Sequence, residues 1–146
     1  MKAINYKKFL KNTLSLFLTL LVMSNLMDFI RKPTVPEDIN ATALYDLQGN
    51  PFFLPQLAQD KPTIVYFWGT WCGYCRYTSP TINALAKEGY PVVSIALRSG
   101  TTQDGTDYLK EHQYEFTTVN DPHGALAKQW GVNVTPTISL LQQGKM

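Results

Sequence analysis

The chain has 146 residues, the length of one domain, and its 45% hydrophobic, 12% aromatic and 16% charged residues can fill a core and exclude a disordered polypeptide. Its net charge of +2 hides an asymmetry, with six basic residues and one acid, Asp28, through Lys32, and seven basic and ten acidic residues after it. A mildly acidic body without basic clusters has no electrostatic footprint for nucleic acid and excludes that partner.

Residues 1–32 read as an address. Lys2, Lys7, Lys8 and Lys11 precede an uncharged run from Thr13 to Met27, the pattern of an export signal or signal-anchor. That run alone spans about 22 Å as a helix, short of the roughly 30 Å hydrocarbon core, whereas Phe9 to Ile30 spans about 33 Å. Lys11 could then snorkel, and Asp28 would lie near the opposite headgroups. No Ala-x-Ala cleavage site follows, and Val22-Met23-Ser24 is a weak substitute. The expectation is therefore an uncleaved membrane anchor, with a cleaved signal as the alternative and a buried core helix the least favoured reading. Four lysines before the span against Arg31 and Lys32 after it predict a cytoplasmic N-terminus and a body on the extracytoplasmic, periplasmic side. Residues 33–40, with Pro33, Pro36, Glu37 and Asp38, read as a linker to a domain over 41–146.

Within that domain, Ala43–Leu47 and Phe52–Leu54 predict a β-hairpin around Gln48-Gly49-Asn50. Thr63–Trp68 and Pro91–Leu97 are near-continuous apolar runs, suited to strands buried on both faces of a parallel sheet. Between them the pattern turns helical from Gly73 to Lys87, with Pro80 inside as a kink and Gly89 as the stop. Ser99–Gly105 reads as a polar loop, Thr106–Gln113 as a helix and Phe116–Val119 as a strand. Asp121 is expected to cap a brief helix with Pro122 at its first position and Gly131 at its end. Thr137–Leu141 is the last predicted strand, followed by turn residues through Lys145. Strands alternating with helices make an α/β domain with a largely parallel sheet.

The two cysteines, Cys72 and Cys75, are the informative residues. A disulfide between them would close almost no loop and so contribute little as a staple. The pair is therefore expected to do redox chemistry or bind metal. A buried strand ends at Trp68, the chain turns, and Cys-x-x-Cys opens a helix. Free N–H groups and the macrodipole at a helix N-terminus stabilise a thiolate. Cys72, on an exposed rim, is the expected nucleophile, and Cys75, one turn inside, the resolving thiol. Zinc would need about four ligands, and His112 and His123 make no paired spacing with the cysteines, so no metal or other cofactor is expected. Trp68 reads as core. Trp71 reads as part of the rim around Cys72, and Tyr74 as a residue that tunes the pair or touches substrate.

Trp68-Gly69-Thr70-Trp71-Cys72-Gly73-Tyr74-Cys75-Arg76 resembles the thioredoxin W-x-x-W-C-x-x-C-[KR] signature. Pro80 falls where that superfamily kinks its active-site helix, and Thr135-Pro136 resembles its cis-proline segment. The opening hairpin, the helical segment between Leu97 and Phe116, and Trp130-Gly131-Val132 are similar to the export-side TlpA-like branch, including membrane-anchored proteins of the ScsD type. The resemblance covers roughly residues 41 to 146. It implies a thioredoxin fold and a protein-disulfide oxidoreductase acting on the thiols and disulfides of exported proteins and of a redox partner. It also implies that Trp71, Gly73, Tyr74, Thr135 and Pro136 contact substrate. A thiol module handling copper or haem is the alternative, although copper-delivering relatives space their cysteines by three residues. Two departures stand out. Tyr66 occupies the place of a buried aspartate that accepts the resolving thiol's proton. The fold's closing strand and helix are also not seen before Met146, which suggests truncation.

Overall fold

A computed structural model describes residues 6–30, 34, 36 and 42–142. The chain divides into two compact units, residues 1–32 and 33–146. In the first, a mostly apolar sequence whose one charge after Lys11 is Asp28 winds into α1, Tyr6–Ile30, with an 18-residue stretch of mean hydropathy 1.7. Its 25 residues measure about 37 Å, so the helix is long and apolar enough to cross a membrane. Its polar side chains fold back on its own carbonyls: Thr13 donates to Phe9 at 2.9 Å, Thr19 to Ser15 at 2.8 Å and Asn25 to Leu21 at 2.8 Å. Satisfying polar groups within the helix is what a lipid environment demands.

The second unit opens with a short antiparallel hairpin, β1 (Leu44–Tyr45) and β2 (Pro51–Phe52). Its turn is closed by the Asp46 carboxylate, which accepts from the backbone of Gln48 and Asn50 and from the Asn50 amide at 2.8–2.9 Å. The expected strand through Leu54 stops early. Leu54 instead begins α2 (Leu54–Leu57), because Pro55 has a preset φ and no N–H to lose in a first turn.

The central sheet follows from the apolar runs. Strand β3 (Thr63–Trp68) is buried at every position, as is β4 (Val92–Leu97) except at its last residue. They pair in parallel, β5 (Thr117–Asp121) adds in parallel beyond β4, and β6 (Thr137–Leu141) lies antiparallel beside β3, giving the order β5-β4-β3-β6. The period-2 alternation of β3 splits its side chains between two cores. Val65 and Phe67 join Val93, Ile95, Trp130, Leu54 and Leu141 on one face. Ile64, Tyr66 and Trp68 join Cys72, Cys75, Ile82 and Phe116 on the other. Helices cover both, in a mixed α/β thioredoxin fold. Residues 143–146, with most of the expected closing turn, lie outside the described residues.

Three helix starts differ from expectation. Helix α3 runs Cys75–Lys87, leaving Gly73 in the preceding turn and Tyr74 at the cap. Helix α4 (Thr102–His112) consumes part of the expected polar loop, because Thr101 and Asp104 form a capping box: Asp104 N–H donates to Thr101 Oγ1 at 3.2 Å and Thr101 N–H to Asp104 Oδ2 at 2.7 Å. Helix α5 (Ala125–Gln129) is capped by Gly124 at φ 74°, not by Asp121. Asp121 ends β5 and its carboxylate still accepts the Ala127 N–H at 2.9 Å. The expected stops hold. Gly89 at φ 88° closes α3, with Gly89 N–H to Ala86 and Tyr90 N–H to Leu85, a Schellman pattern that Gly131 and Val132 repeat after α5.

Candidate active site

Strand β3 delivers the chain to Gly69, and three anchors shape the turn that follows. Cys72 N–H donates to Gly69 O at 3.0 Å, Thr70 N–H to Ser99 Oγ at 3.0 Å, and the Trp71 indole to Leu97 O at 3.0 Å. A Cβ at Gly69 would lie 2.6 Å from the Trp71 indole nitrogen and 3.0 Å from Leu97 O, so a side chain there would have to displace the indole. The Leu97 carbonyl ends β4 and Ser99 follows it, and neither carries a local motif that points to the site. Their nearness to Cys72 is a product of strand pairing.

Cys72 and Cys75 are joined by a disulfide with Cα atoms 5.3 Å apart. The first N–H of α3, on Cys75, is shared between Cys72 O at 3.1 Å and Cys72 Sγ at 3.2 Å, so the helix start turns a donor toward that sulfur. In this form both sulfurs are enclosed: Cys72 is 6% exposed and Cys75 1%. The expected exposed rim position of Cys72 is thus corrected, because the disulfide folds it toward the core shared with Trp68 and Tyr66. The rim itself is aromatic, with Trp71 59% and Tyr74 78% exposed. Gly73 is exposed, and a Cβ there would meet nothing within 4 Å.

Thr135-Pro136 enters from β6. Thr137 pairs with Phe67, so the residues just before it stand at the end of the sheet where β3 hands over to the cysteine turn. The Thr135–Pro136 peptide bond is cis. Both residues are half-buried, and the Thr135 hydroxyl has no hydrogen-bond partner among the described residues. His112 stacks on Tyr108 at 4.0 Å at the end of α4, while His123 is exposed in the turn before α5.

Tyr66 is fully buried, and its hydroxyl pairs with Ser79 Oγ at 2.9 Å, one helical turn along from Cys75. Burial pushes its phenol up to about 12, against a smaller opposing effect of the Ser79 hydrogen bond. At neutral pH it is an uncharged hydrogen-bonding group and cannot serve as the carboxylate base whose place it takes. A consequence follows for alkaline stability. The phenol ionises at 10.0 when unfolded and about 12 when folded, so its stabilisation is complete below pH 10 and is lost as pH rises through 12. Burial raises Tyr108 and Tyr114 as well, so they act in the same direction. Denaturant midpoints are expected to fall across that window, and Tyr66→Phe to flatten the fall. An unchanged slope in the variant would remove Tyr66 as its source.

Over residues 34–145 the sequence matches the AhpC/TSA family. A thioredoxin-like protein of Haemophilus influenzae is 65% identical over 140 residues, 96% of this chain and 84% of its own length. The thiol:disulfide interchange protein DsbE of Pseudomonas aeruginosa is 30% identical over 84 residues, 57% of this chain and 46% of its own. A secreted Mycobacterium tuberculosis disulfide oxidoreductase homologous to E. coli DsbE shares the fold, with a TM-score of 0.63 at 23% identity over 75% of this chain and 82% of that one. The chain therefore belongs to the AhpC/TSA family, and on its thioredoxin-like fold the Cys72–Cys75 pair makes it a thiol–disulfide oxidoreductase.

Proposed function

We propose that the protein exchanges disulfides with exported proteins, with Cys72 as the attacking thiol and Cys75 as the resolving one. The observation that carries the assignment is the Cys75 N–H donated to Cys72 Sγ. A donor fixed there favours charge on Cys72 over its partner, and the thiolate is the reactive species. In the reducing direction the Cys72 thiolate attacks a substrate disulfide and one substrate sulfur leaves as a thiolate. Cys75, once deprotonated, attacks Cys72 in the mixed disulfide and releases the second sulfur. Two electrons pass to the substrate and the Cys72–Cys75 bond forms; the reverse sequence oxidises a dithiol. Trp71, Gly73 and Tyr74 form the surface a substrate meets on one side. Thr135 and Pro136 offer backbone on the other, where the missing proline N–H keeps that edge from pairing inward. The full chain is expected to accelerate insulin reduction by dithiothreitol well above the uncatalysed rate. A rate equal to the blank, together with stoichiometric metal binding, would overturn the exchange reading.

The same reading takes residues 1–32 as a membrane anchor, 33–40 as a linker and 41–146 as the exchange domain, held on the extracytoplasmic side. Its support is α1, which has three lysines, Lys7, Lys8 and Lys11, in its first two turns and only Asp28 as an acid. The mature protein is expected to sediment with membranes and to keep the mass of the chain from Met1. A soluble species starting near Asn25 would mean a cleaved signal instead.

A further inference from the structure

At the end of β4 lies a cleft of about 340 Å³ that exchange chemistry alone does not require, lined by Leu97, Arg98, His123, Lys128, Val132 and Asn133 among others. It is linked to the cysteine turn through Leu97. Cys72 is bonded to Trp71, the Trp71 indole rests on Leu97 O, and the Leu97 side chain packs against the cleft's Gly124, where a Cβ would lie 3.2 Å from Leu97 Cδ1. On its other side, Asn133 leads directly to Val134 and the Thr135-Pro136 segment.

The cleft is cationic and unbalanced. Arg98, Lys128 and His123 are exposed on it, and no acidic side chain lines it among the described residues. The nearest acid in the chain path, Asp121, is buried with its carboxylate turned to the Ala127 N–H. Neither Arg98 nor Lys128 forms an ion pair among the described residues, where the recorded pair is Lys87–Glu115. Arg98 is also held in place. Its backbone sits at φ 47°, a conformation that favours glycine, and its N–H is fixed to Asp121 O at 2.9 Å. Its guanidinium lies over Gly124, where a Cβ would come within 3.3 Å of Nε. Arg98 and Lys128 lining one cleft with the apolar Leu97, Ala127 and Val132 suit a carboxylate-bearing peptide that also has aliphatic stems to bury.

We propose that this cleft is a substrate-recognition site that receives an acidic segment flanking the reacting cysteine of a partner protein. The inference rests on the thiol-exchange reading and adds a substrate class to it. The body after Lys32 carries more acids than bases, so its overall field repels such a segment, and any preference for it must come from local charge.

The test uses the full chain in a non-ionic detergent, in its disulfide form, with two short single-cysteine peptides. One is flanked by Asp and Glu, the other by the corresponding Asn and Gln. A peptide thiolate attacks Cys72 and Cys75 leaves as thiolate; a second peptide thiolate then attacks the first peptide's sulfur and frees Cys72. Two peptide thiols thus give up two electrons and two protons to the protein disulfide. Second-order rates are read from peptide disulfide formed, each normalised to the same peptide's rate with a small aromatic disulfide. At about 10 mM ionic strength the acidic peptide is expected to react roughly tenfold faster, the lower end of electrostatic steering. The ratio should fall below about two at 1 M salt, where the screening length is about 3 Å. In Arg98→Gln/Lys128→Gln the low-salt ratio should fall to about one. Equal rates at low salt, or a ratio that survives salt or the double variant, would overturn the recognition site while leaving exchange intact. Failure of both peptides to react would instead overturn the exchange reading beneath it.

Discussion

Cys72→Ala is expected to abolish disulfide exchange, by about a thousandfold or more, while Cys75→Ala keeps the attack and loses the release. The asymmetry follows from which sulfur the helix start favours. Removing Cys72 removes the nucleophile, and loss of a nucleophile that acts as part of a unit forfeits most of the rate. Removing Cys75 leaves Cys72 able to attack a substrate disulfide, but nothing in the chain can then displace the substrate, because no third cysteine exists. Mixed disulfides should accumulate on Cys75→Ala, visible as adducts on non-reducing gels that disappear with reductant. Cys72→Ala should form none. Equal trapping by both variants would sink the two-cysteine scheme. Because the disulfide stabilises little as a cross-link over so short a loop, both variants should remain folded, so loss of exchange can be read as loss of chemistry.

How much of this was visible in the sequence depends on the distance over which each signal acts. Strands β3 and β6 were readable to the residue, since Thr63–Trp68 and Thr137–Leu141 are apolar runs bounded by prolines and turn residues. Gly89 and Gly131 marked helix ends because a left-handed residue is required there. Helix starts were less legible. The Thr101–Asp104 capping box lies inside a stretch so polar that composition outweighed it, and Pro122 drew the cap of α5 toward Asp121 although the turn continues to Gly124. At the site, Cys72, Cys75 and Thr135-Pro136 carry local motifs. Ser99, the Leu97 carbonyl and the Arg98–Lys128 cleft carry none, because their meaning arises only when the end of β4 meets the cysteine turn and α5 packs on β4. Tyr66 lies between these cases. Its departure from the expected aspartate was plain, but its partner Ser79 needed the packing of α3 on the sheet.

Trp68→Ala is expected to be the most destabilising single change in the cysteine-side core, at about 3–5 kcal/mol, against a total stability of order 5–15 kcal/mol for a domain. Trp68 is fully buried, packs against Tyr108 at 5.2 Å and Phe116 at 6.2 Å, and shares its cluster with Cys72 and Cys75. Truncation would leave a cavity that the flanking strand β4 cannot collapse to fill without breaking the sheet. The indole has a second role. Its N–H can only donate, and it donates to Ser94 Oγ at 3.0 Å; Thr118 gives its one hydroxyl proton to the Phe116 carbonyl at 3.2 Å, so Ser94 donates to Thr118 Oγ1 at 2.7 Å. The tryptophan thus begins a hydrogen-bond relay from β3 across β4 to β5. Trp68→Phe fills most of the volume but leaves Ser94 short of one donor, a loss of about 1 kcal/mol for the bond, plus a small packing deficit. Chemical denaturation of the two variants should therefore rank Ala far below Phe and Phe modestly below the parent. A Trp68→Ala loss within about 1 kcal/mol of the Trp68→Phe loss would mean that the relay, and not the packed ring, carries the contribution of this residue.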